Sequence, residues 1–377
     1  MTAGTQRKLD PSVNSQDTKL LIQQFSRKVV GQSAATQVLT DILESFRAGF
    51  GDTTRPVGNA LFLGPTGTGK THVVETFAEA LFGTKEACLR IDCAEFQHSH
   101  EIAKLLGSPP GYLGHRETHP MFTQERLDKY HKDSLKLSIV LFDEIEKASD
   151  AVWNLMLGIL DKASLTLGTN AVVNFSKTII VMTSNLGARE MSEKDIGYGV
   201  PSEEYAAAVL ERKALSAAKS KFSPEFMNRL QHIVMFETLT ETQIEAVVEM
   251  ELKAMEERIL NSIVLRVTAS PNDAILFYVA ISPKAKKTLA TQGYDPAYGA
   301  RHLKRVIDKL IQRPLAKLYN SGQIQDKDTV VVDDPGTGTF DFYTHPSPTP
   351  VISPTPMPSH TCDMRCYNSD SVKICGH

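Results

Sequence analysis

The chain has 377 residues, of which 41% are hydrophobic, and a formal net charge of −3. This length suits about two or three compact units, and the slightly acidic balance argues against nucleic acid or a membrane surface as its partner. No apolar run approaches the roughly 18 residues of a membrane span. The polar start carries no signal-peptide core and the five cysteines indicate no disulfide framework, so we expect a cytoplasmic protein.

The beginning of the chain changes character twice. Residues 1–18 are polar and aperiodic, and we expect them to form a disordered tail. From Leu20 to Phe50 apolar residues recur at helical spacing, with a break at Val29–Gln32. The apolar run Ala60–Leu63 then predicts a buried strand. A large folded domain is therefore expected to begin near residue 19.

The stretch Gly64–Thr71, GPTGTGKT, lies between this strand and a helical pattern. A buried strand, a glycine-rich turn and an amphipathic helix form the context that a phosphate-binding loop requires. Lys70 can reach the β- and γ-phosphates of ATP, and the Thr71 hydroxyl can ligate Mg²⁺. Glycine allows the loop to turn its backbone N–H groups towards the phosphates. The expected nucleotide-contacting loop residues are Gly64, Pro65, Thr66, Gly67, Thr68 and Gly69.

A second glycine-rich stretch, Gly107–Gly114, has the sequence GSPPGYLG. Two prolines and three glycines exclude regular secondary structure, so Tyr112 is expected in a loop between glycines. Composition alone leaves two interpretations open, a functional aromatic side chain or a surface turn in which Tyr112 packs locally.

Two further buried strands end in polar side chains. Leu137–Phe142 is a continuous apolar run followed by Asp143 and Glu144, as expected of a central parallel strand whose carboxyl end faces a ligand. Asp143 is suited to hold Mg²⁺ and Glu144 to activate the attacking water as a general base, although two acidic residues could merely cap the next helix. The run Thr178–Asn185 would place Asn185 beside these carboxylates if the two strands are neighbours.

The strands alternate with helices up to a fifth strand at His232–Phe236, which predicts a three-layer α/β domain with a parallel sheet over residues 19–237. From Thr240 the pattern changes, and a smaller α+β domain is expected over residues 238–334. Its predicted elements are a helix to about Asn261, a strand at Val264–Val267, helices at Pro283–Thr291 and Ala300–Ser321, and a strand at Thr329–Val332. Residues 335–377 are rich in Pro, Ser and Thr, and we expect a disordered tail there.

These pieces occur as an ordered series of motifs. They are VVGQ (Val29–Gln32), RPVGNALFLGPTGTGKT (Arg55–Thr71), GSPPGYLG (Gly107–Gly114), IVLFDEIEKA (Ile139–Ala148), IIVMTSNLG (Ile179–Gly187), FSPEFMNRL (Phe222–Leu230) and GYDPAYGARHLKRVI (Gly293–Ile307). In this respect the chain resembles the AAA+ ATPases of the Clp unfoldase family, most closely the second ATPase module of ClpA-, ClpB- and ClpC-type proteins. The resemblance spans about residues 20 to 333. It implies a P-loop NTPase domain followed by a C-terminal lid domain, and a hexameric ring with a central pore.

The resemblance also implies roles for single residues. Val30 matches a segment that contacts adenine, and Lys70, Thr71, Asp143 and Glu144 keep the phosphate, metal and water roles given above. Asn185 matches the first sensor, which orients the attacking water. Arg229 matches the arginine finger that reaches the neighbouring subunit's site, and Arg301 matches the second sensor on the lid domain. Tyr112 matches the pore-loop aromatic residue that grips an extended polypeptide.

Several stretches depart from the family pattern or go beyond it. Residues 165–175 lack the Gly-Arg of the corresponding family hairpin, and residues 271–281 look like an insertion in the small domain. Ile196-Gly197-Tyr198 falls where some relatives carry a loop that docks on the Clp peptidase, although a chance apolar pair is the alternative. Three cysteines and a histidine near the end (Cys362, Cys366, Cys375 and His377) could hold zinc, but a simple tail is the plainer interpretation.

The main functional hypothesis is therefore an ATP-dependent polypeptide unfoldase or remodelling chaperone that hydrolyses ATP in a hexameric ring. A first alternative is the unfoldase subunit of a Clp-type protease. A second is an AAA+ ATPase that assembles complexes or remodels nucleic acid, against which the acidic net charge argues. A third is a regulator that binds ATP without threading any substrate.

Overall fold

A computed structural model describes residues 15–108, 119–187, 203–269, 275–294, 299–336 and 338–346. The hypotheses on Tyr112, on Ile196-Gly197-Tyr198 and on a zinc site in the tail concern residues outside these ranges. Within them, no helix combines the length and the apolar character needed to cross a bilayer.

A five-stranded sheet forms the centre of the large domain, and every adjacent pair of its strands is parallel. All residues of its three central strands are buried, which explains why they read as continuous apolar runs. The strands are β1 Gly58–Leu63, β2 Cys88–Asp92, β3 Ser138–Asp143, β6 Thr178–Ser184 and β7 His232–Met235. Their order in the sheet is β2-β3-β6-β1-β7. The parallel sheet predicted from the sequence is confirmed.

Helices cover both faces of this sheet and complete three layers. On one face, Phe25 and Phe77 stack with their ring centroids 5.6 Å apart, in a core that includes Phe62 of β1. On the other face, Phe222 packs edge-on against Trp153, with centroids 5.6 Å apart. The first layer contains α1 Gln16–Lys28, α2 Ser33–Arg47 and α3 Lys70–Phe82, and the second α6 Asp150–Lys162, α7 Glu203–Lys221 and α8 Pro224–Arg229.

Shorter elements connect these layers. Three turns of 3₁₀ helix lie at Lys85–Ala87, Cys93–Phe96 and Ser99–Ile102, with a fourth at Ile145–Lys147, and two short helices are α4 Ala103–Leu106 and α5 Gln124–Asp128. The antiparallel hairpin of β4 Ser164–Thr166 and β5 Val172–Asn174 follows α6.

The large domain begins slightly earlier than the sequence predicted. Helix α1 starts at Gln16, and the hydroxyl of Ser15 caps it by accepting the backbone N–H of Thr18. Residues 16–18 therefore belong to a helix, not to the predicted tail. The serine cap was a readable signal that the polar composition of the segment obscured.

The small domain packs its helices on a sheet of three strands, β8 (Tyr278–Ile281), β9 (Asp328–Asp333) and β10 (Asp341–Pro346). Strand β9 is central, with β8 parallel and β10 antiparallel to it. The domain's apolar core includes Leu252, Leu289, Leu303 and Val330. The elements are α9 Glu241–Ala269, β8 Tyr278–Ile281, α10 Pro283–Gly293, α11 Arg301–Ile307, a π-helical turn at Asp308–Gln312, α12 Arg313–Asn320, β9 Asp328–Asp333 and β10 Asp341–Pro346.

Two expectations for this domain are corrected. The strand predicted at Val264–Val267 is wrong, because α9 continues to Ala269. Leu260, Ile263, Val264 and Val267 are spaced i, i+3, i+4 and i+7, which is a helical pattern that the short apolar run conceals. The insertion at 271–281 stays a prediction, and within it residues 278–281 form β8, which pairs with β9. Within the supposed tail at 335–377, residues 341–346 form β10.

Candidate nucleotide-binding site

The carboxyl ends of the central strands meet at one edge of the sheet, beside the loop Gly64–Gly69. The register aligns Leu63 of β1 with Ser184 of β6, and Phe142 of β3 with Met182 of β6. Because β3 and β6 are neighbours, Asn185 lies beside Asp143 and Glu144, as the sequence predicted conditionally. These residues and Thr66–Gly69 of the loop line a cavity of about 560 Å³, whereas the predicted contacts Gly64 and Pro65 are not among its lining residues.

The start of the phosphate-binding loop passes close to the end of β7. Gly64 has φ +151°, and a Cβ atom there would lie 2.4 Å from the carbonyl oxygen of Phe236. Glycine is therefore required for steric reasons at this position. After the loop, α3 begins at Lys70, so the positive end of its dipole points towards the cavity.

Lys70 is buried among oxygen atoms. Its Nζ donates to the carbonyl oxygens of Gly64 at 2.7 Å and Pro65 at 2.8 Å, and to Oδ1 of Asn185 at 2.9 Å. Burial lowers the pKa of Lys70 to about 8, while the nearby Glu146 and Asp143 carboxylates oppose that shift. The side chain is thus mainly protonated at neutral pH and can pair with phosphate oxygens.

The carboxylate of Asp143 is held from three directions. The hydroxyl of Thr71 donates to its Oδ1 at 3.1 Å, the hydroxyl of Thr183 also donates to Oδ1, and Nη2 of Arg90 lies 2.6 Å from Oδ2. A threonine hydroxyl next to a carboxylate is a pair of hard oxygen donors, of the kind that Mg²⁺ takes beside substrate phosphates. The donor chemistry therefore fits Mg²⁺ at Thr71 and Asp143.

Glu144 is fixed by its backbone and by its side chain. It has φ +57°, a conformation that is uncommon for residues other than glycine and recurs at functional sites. Its N–H donates to the Thr183 hydroxyl at 3.1 Å, and Oε2 forms an ion pair with Lys147 at 2.5 Å. Oε1 accepts from Nδ2 of Asn185 at 3.3 Å. Asn185 therefore connects the expected base to Lys70.

Part of the cavity lining is apolar. Val29 and Val30 line it together with Leu239, Val247 and Met250 of the small domain and the segment before it. Such side chains suit the flat, apolar faces of a nucleobase. The structure thus places Val30 in the same cavity as the phosphate loop, and its adenine contact stays a prediction.

The small domain touches the phosphate loop directly. The N–H of Ala300 donates to the carbonyl oxygen of Gly67 at 3.3 Å. Gly299 has φ +56°, and a Cβ atom there would lie 2.7 Å from that same oxygen. Arg301 and Lys304, which follow on α11, both line the cavity. The predicted second sensor is therefore close to the predicted phosphate site.

Arg229 is the one predicted catalytic residue that the structure does not bring to this cavity. Its carbonyl oxygen accepts from Nδ2 of Asn59, at the start of β1, at 3.2 Å. The phosphate loop follows the other end of that strand, roughly 16 Å away at about 3.3 Å per residue. Arg229 and the phosphate loop therefore lie at opposite edges of the same sheet.

Three contributors to the site were not identified from the sequence: Arg90, Lys147 and Thr183. Thr183 is two residues before Asn185 on β6, and Arg90 is on β2, which is adjacent to β3. The strand order that brings Arg90 to Asp143 has no local signal in the sequence. Lys147 follows Glu144 at i+3, which is a readable spacing for an ion pair.

Comparisons with known proteins agree with this geometry. The model of the AAA domain (Cdc48 subfamily) matches residues 55–233, and that of the C-terminal, D2-small domain of ClpB protein matches residues 239–332. The probable chaperone protein ClpB 1 of Chlorobaculum tepidum is 36% identical over 309 residues, covering 82% of this chain and 66% of the relative. The chain belongs to the Clp family of AAA+ ATPases.

Other members of the Clp family match over similar lengths. Chaperone protein ClpB of Meiothermus ruber is 38% identical over 303 residues, which are 80% of this chain and 32% of the relative. A closed-state cryoEM reconstruction of Hsp104 with ATPγS and FITC casein superposes with a TM-score of 0.71 at 31% identity, covering 89% of this chain and 53% of that one. The chain spans only about a third of the length of most of the curated relatives it matches.

Proposed function

We propose that this Clp-family chain is an ATP-driven polypeptide unfoldase or remodelling chaperone that works as a hexameric ring and threads substrate through a central pore. One observation carries the proposal: the binding and water-activating groups occupy one edge of the sheet, while Arg229 is fixed at the other. An arginine in that position can serve hydrolysis in an adjoining subunit. The Hsp104 relative was determined with ATPγS and casein, which supports a nucleotide and a polypeptide as ligands.

The side chains suggest a sequence of roles in hydrolysis. Lys70 and the loop N–H groups bind the phosphates, and Val30 faces the base. Mg²⁺, held through Thr71 and Asp143, would neutralise phosphate charge. Glu144 accepts a proton from the attacking water, which Asn185 orients through its contact with that carboxylate. Arg229 of the adjoining subunit offsets the charge that develops on the γ-phosphoryl group, and Arg301 couples this event to the lid domain.

The pore function rests on Tyr112, which lies outside the described residues. An aromatic side chain can grip many polypeptide sequences because it contacts side chains and backbone without requiring a particular partner. The hairpin β4–β5 lacks the family's Gly-Arg pair, so the proposal assigns substrate contact to Tyr112 and none to the hairpin. A cytoplasmic location is part of the same proposal.

A second candidate is the motor subunit of a Clp-type protease. It is favoured by Ile196-Gly197-Tyr198 and by a 34% identical relative over 336 residues, the ATP-binding subunit ClpC of a Clp protease from Staphylococcus epidermidis. Co-purification with a Clp peptidase that is lost in Tyr198→Ala would support it. Failure to retain any peptidase would leave the chaperone role in place.

Two variants test the main proposal. Glu144→Gln removes the base and is expected to keep ATP binding and ring assembly while turnover falls to background, with the exposed Glu125→Gln as its matched control. Tyr112→Ala is expected to lose the unfolding of a folded fluorescent reporter. Normal turnover in Glu144→Gln would exclude the assigned base, and undiminished unfolding in Tyr112→Ala would exclude threading by this residue.

A further inference from the structure

The guanidinium of Arg229 is held by two acidic residues. Its Nη2 lies 2.6 Å from Oδ2 of Asp161 and 3.0 Å from Oε1 of Glu225, and its Nη1 donates to the carbonyl oxygen of Glu225 at 3.1 Å. The arginine side chain is 25% exposed, against 36% for Asp161 and 62% for Glu225. The contact with Asp161 is therefore the shorter and the better shielded of the two ion pairs.

The backbone at Arg229 is fixed independently. Asn59 is buried, and its side chain accepts the N–H of Gln231 at 2.8 Å while donating to the carbonyl oxygen of Arg229 at 3.2 Å. The side chain of Gln231 in turn accepts the N–H of Asn59 at 3.0 Å. These three bonds tie the arginine's backbone to β1. With the backbone fixed, the remaining freedom lies in the arginine side chain, and Asp161 removes most of it.

Asp161 is itself well supported, because it lies in the last turn of α6. Its neighbours Ile159 and Leu160 are buried in the core, and the helix ends at Lys162, followed by Ala163 in a left-handed conformation. The hydrogen bond from Arg229 lowers the pKa of Asp161, so its carboxylate is charged at neutral pH. A short charge-assisted bond from a rigid helix orients a guanidinium better than a pair of mobile surface side chains does.

The amino end of helix α6 follows the expected catalytic base closely in the chain. It starts at Asp150, shortly after Glu144 and the 3₁₀ turn Ile145–Lys147. Its 13 residues span about 20 Å at about 1.5 Å per residue. Helix α6 therefore connects the segment that follows Glu144, the expected base of a subunit's own site, to the carboxylate that holds Arg229 for the next site.

We propose that Asp161 is a positioning residue for ATP hydrolysis in the adjoining subunit, because it fixes the guanidinium of Arg229 in the orientation presented there. This inference rests on the proposed function, in which Arg229 acts across a subunit interface. Without Asp161 the arginine side chain is ordered only when it meets the adjoining site, and each turnover then carries that loss of side-chain entropy. With Asp161 the side chain is already ordered before the reaction.

The test uses Asp161→Asn and Asp161→Glu in the full chain, with the exposed Asp133→Asn as a matched control. Asp161→Asn is expected to lower kcat roughly 10–100-fold, the scale that a misplaced catalytic group costs. Its affinity for a fluorescent ATP analogue should stay unchanged, since Asp161 is not part of the nucleotide cavity. Asp161→Glu keeps the charge and is expected to recover part of the lost rate. Thermal melting of each variant reports whether it is folded.

The decisive arm combines Asp161→Asn with Arg229→Ala. If Asp161 acts through the arginine, the double variant is no slower than Arg229→Ala alone. If the kcat of the double variant falls below that of Arg229→Ala by the full factor seen in Asp161→Asn, the inference is overturned. Faster hydrolysis in Asp161→Asn would also overturn it, because the ion pair would then hold the arginine back from the adjoining site. If Arg229→Ala does not hydrolyse ATP while Asp161→Asn hydrolyses it normally, the inference on Asp161 is overturned and the proposed role of Arg229 stands. Normal hydrolysis in Arg229→Ala would overturn the proposed role of the arginine and the inference with it.

Discussion

At the carboxyl edge of the sheet, Lys70, Asn185 and Glu144 form a continuous chain of hydrogen bonds, and Thr71 holds Asp143 beside them. At the amino edge, Arg229 is bound to Asp161 and Glu225. The first edge contains the groups that a hydrolysing enzyme needs to bind phosphate and activate water. The amino edge carries the guanidinium of Arg229, which the length of the sheet separates from the phosphate loop of the same subunit. This separation is what the proposed function requires, because an arginine at the amino edge can serve only the site of an adjoining subunit.

The Arg229→Ala variant tests whether Arg229 contributes to hydrolysis without contributing to nucleotide binding. We expect kcat to fall by roughly 10³-fold or more, as for other arginines that act on a transferred phosphoryl group. Nucleotide affinity should change little, because the arginine does not line the cavity. The measurement is steady-state turnover beside equilibrium binding, with Arg27→Ala on α1 as the exposed control. Weaker binding with an unchanged kcat would place the arginine in its own subunit's site.

Arg90→Ala tests how the carboxyl edge holds its metal ligand. Removing the partner at 2.6 Å should leave Asp143 less well oriented, and we expect the Mg²⁺ concentration for half-maximal turnover to rise roughly 10–100-fold. Glu75→Gln is the matched control, because it removes a longer 3.8 Å contact of the same arginine. An unchanged Mg²⁺ requirement, both in turnover and in nucleotide binding, would show that Arg90 has no part in orienting Asp143.

Gly299→Ala tests whether the lid must touch the phosphate loop. The new methyl group would meet the carbonyl oxygen of Gly67, and the left-handed backbone adds strain, together about 1–3 kcal/mol. We expect roughly tenfold weaker nucleotide binding at that cost. Gly322→Ala is a close control, since Gly322 has φ +74° but open space around it. Equal nucleotide affinities in the two variants would mean that the contact with Gly67 is dispensable.

Phe342→Ala tests whether β10 is part of the small domain. Phe342 packs against the apolar core of that domain, while its neighbour Tyr343 is 50% exposed. Truncating a half-buried phenylalanine should lower the free energy of unfolding by about 1–2 kcal/mol. Tyr343→Ala, on the opposite face of the strand, should change it by less than about 0.5 kcal/mol. Identical unfolding curves for both variants would argue against a packed strand.

Much of the carboxyl edge could be predicted because its signals are local. A glycine-rich loop between a strand and a helix is contiguous in sequence, and so is a carboxylate pair that ends a buried strand. Asn185 needed one additional fact, the adjacency of β3 and β6, which the sequence could state only as a condition. The roles of Arg229 and Arg301 came from the family resemblance, and the structure supplied their positions.

The missed features depend on contacts between distant segments. Arg90 reaches Asp143 because β2 is adjacent to β3, and Asp161 reaches Arg229 because the end of α6 meets the end of α8. No local periodicity encodes either pairing. The segment Val264–Val267 was misread because a run of only four residues fits both a strand and a helix. The helical spacing of apolar residues over the longer segment distinguishes the two. Strand β10 lies in a segment whose composition resembles a linker, and its pairing with β9 stabilises it.

Mixing two inactive variants tests whether the proposed site is shared between adjoining subunits. Glu144→Gln lacks the base but retains Arg229, whereas Arg229→Ala lacks the arginine but retains the base. In mixed rings, roughly one interface in four would pair an intact base with an intact arginine. The equimolar mixture is expected to recover up to about that share of wild-type ATP turnover. A mixture that assembles into common rings and stays as inactive as either variant alone would contradict it.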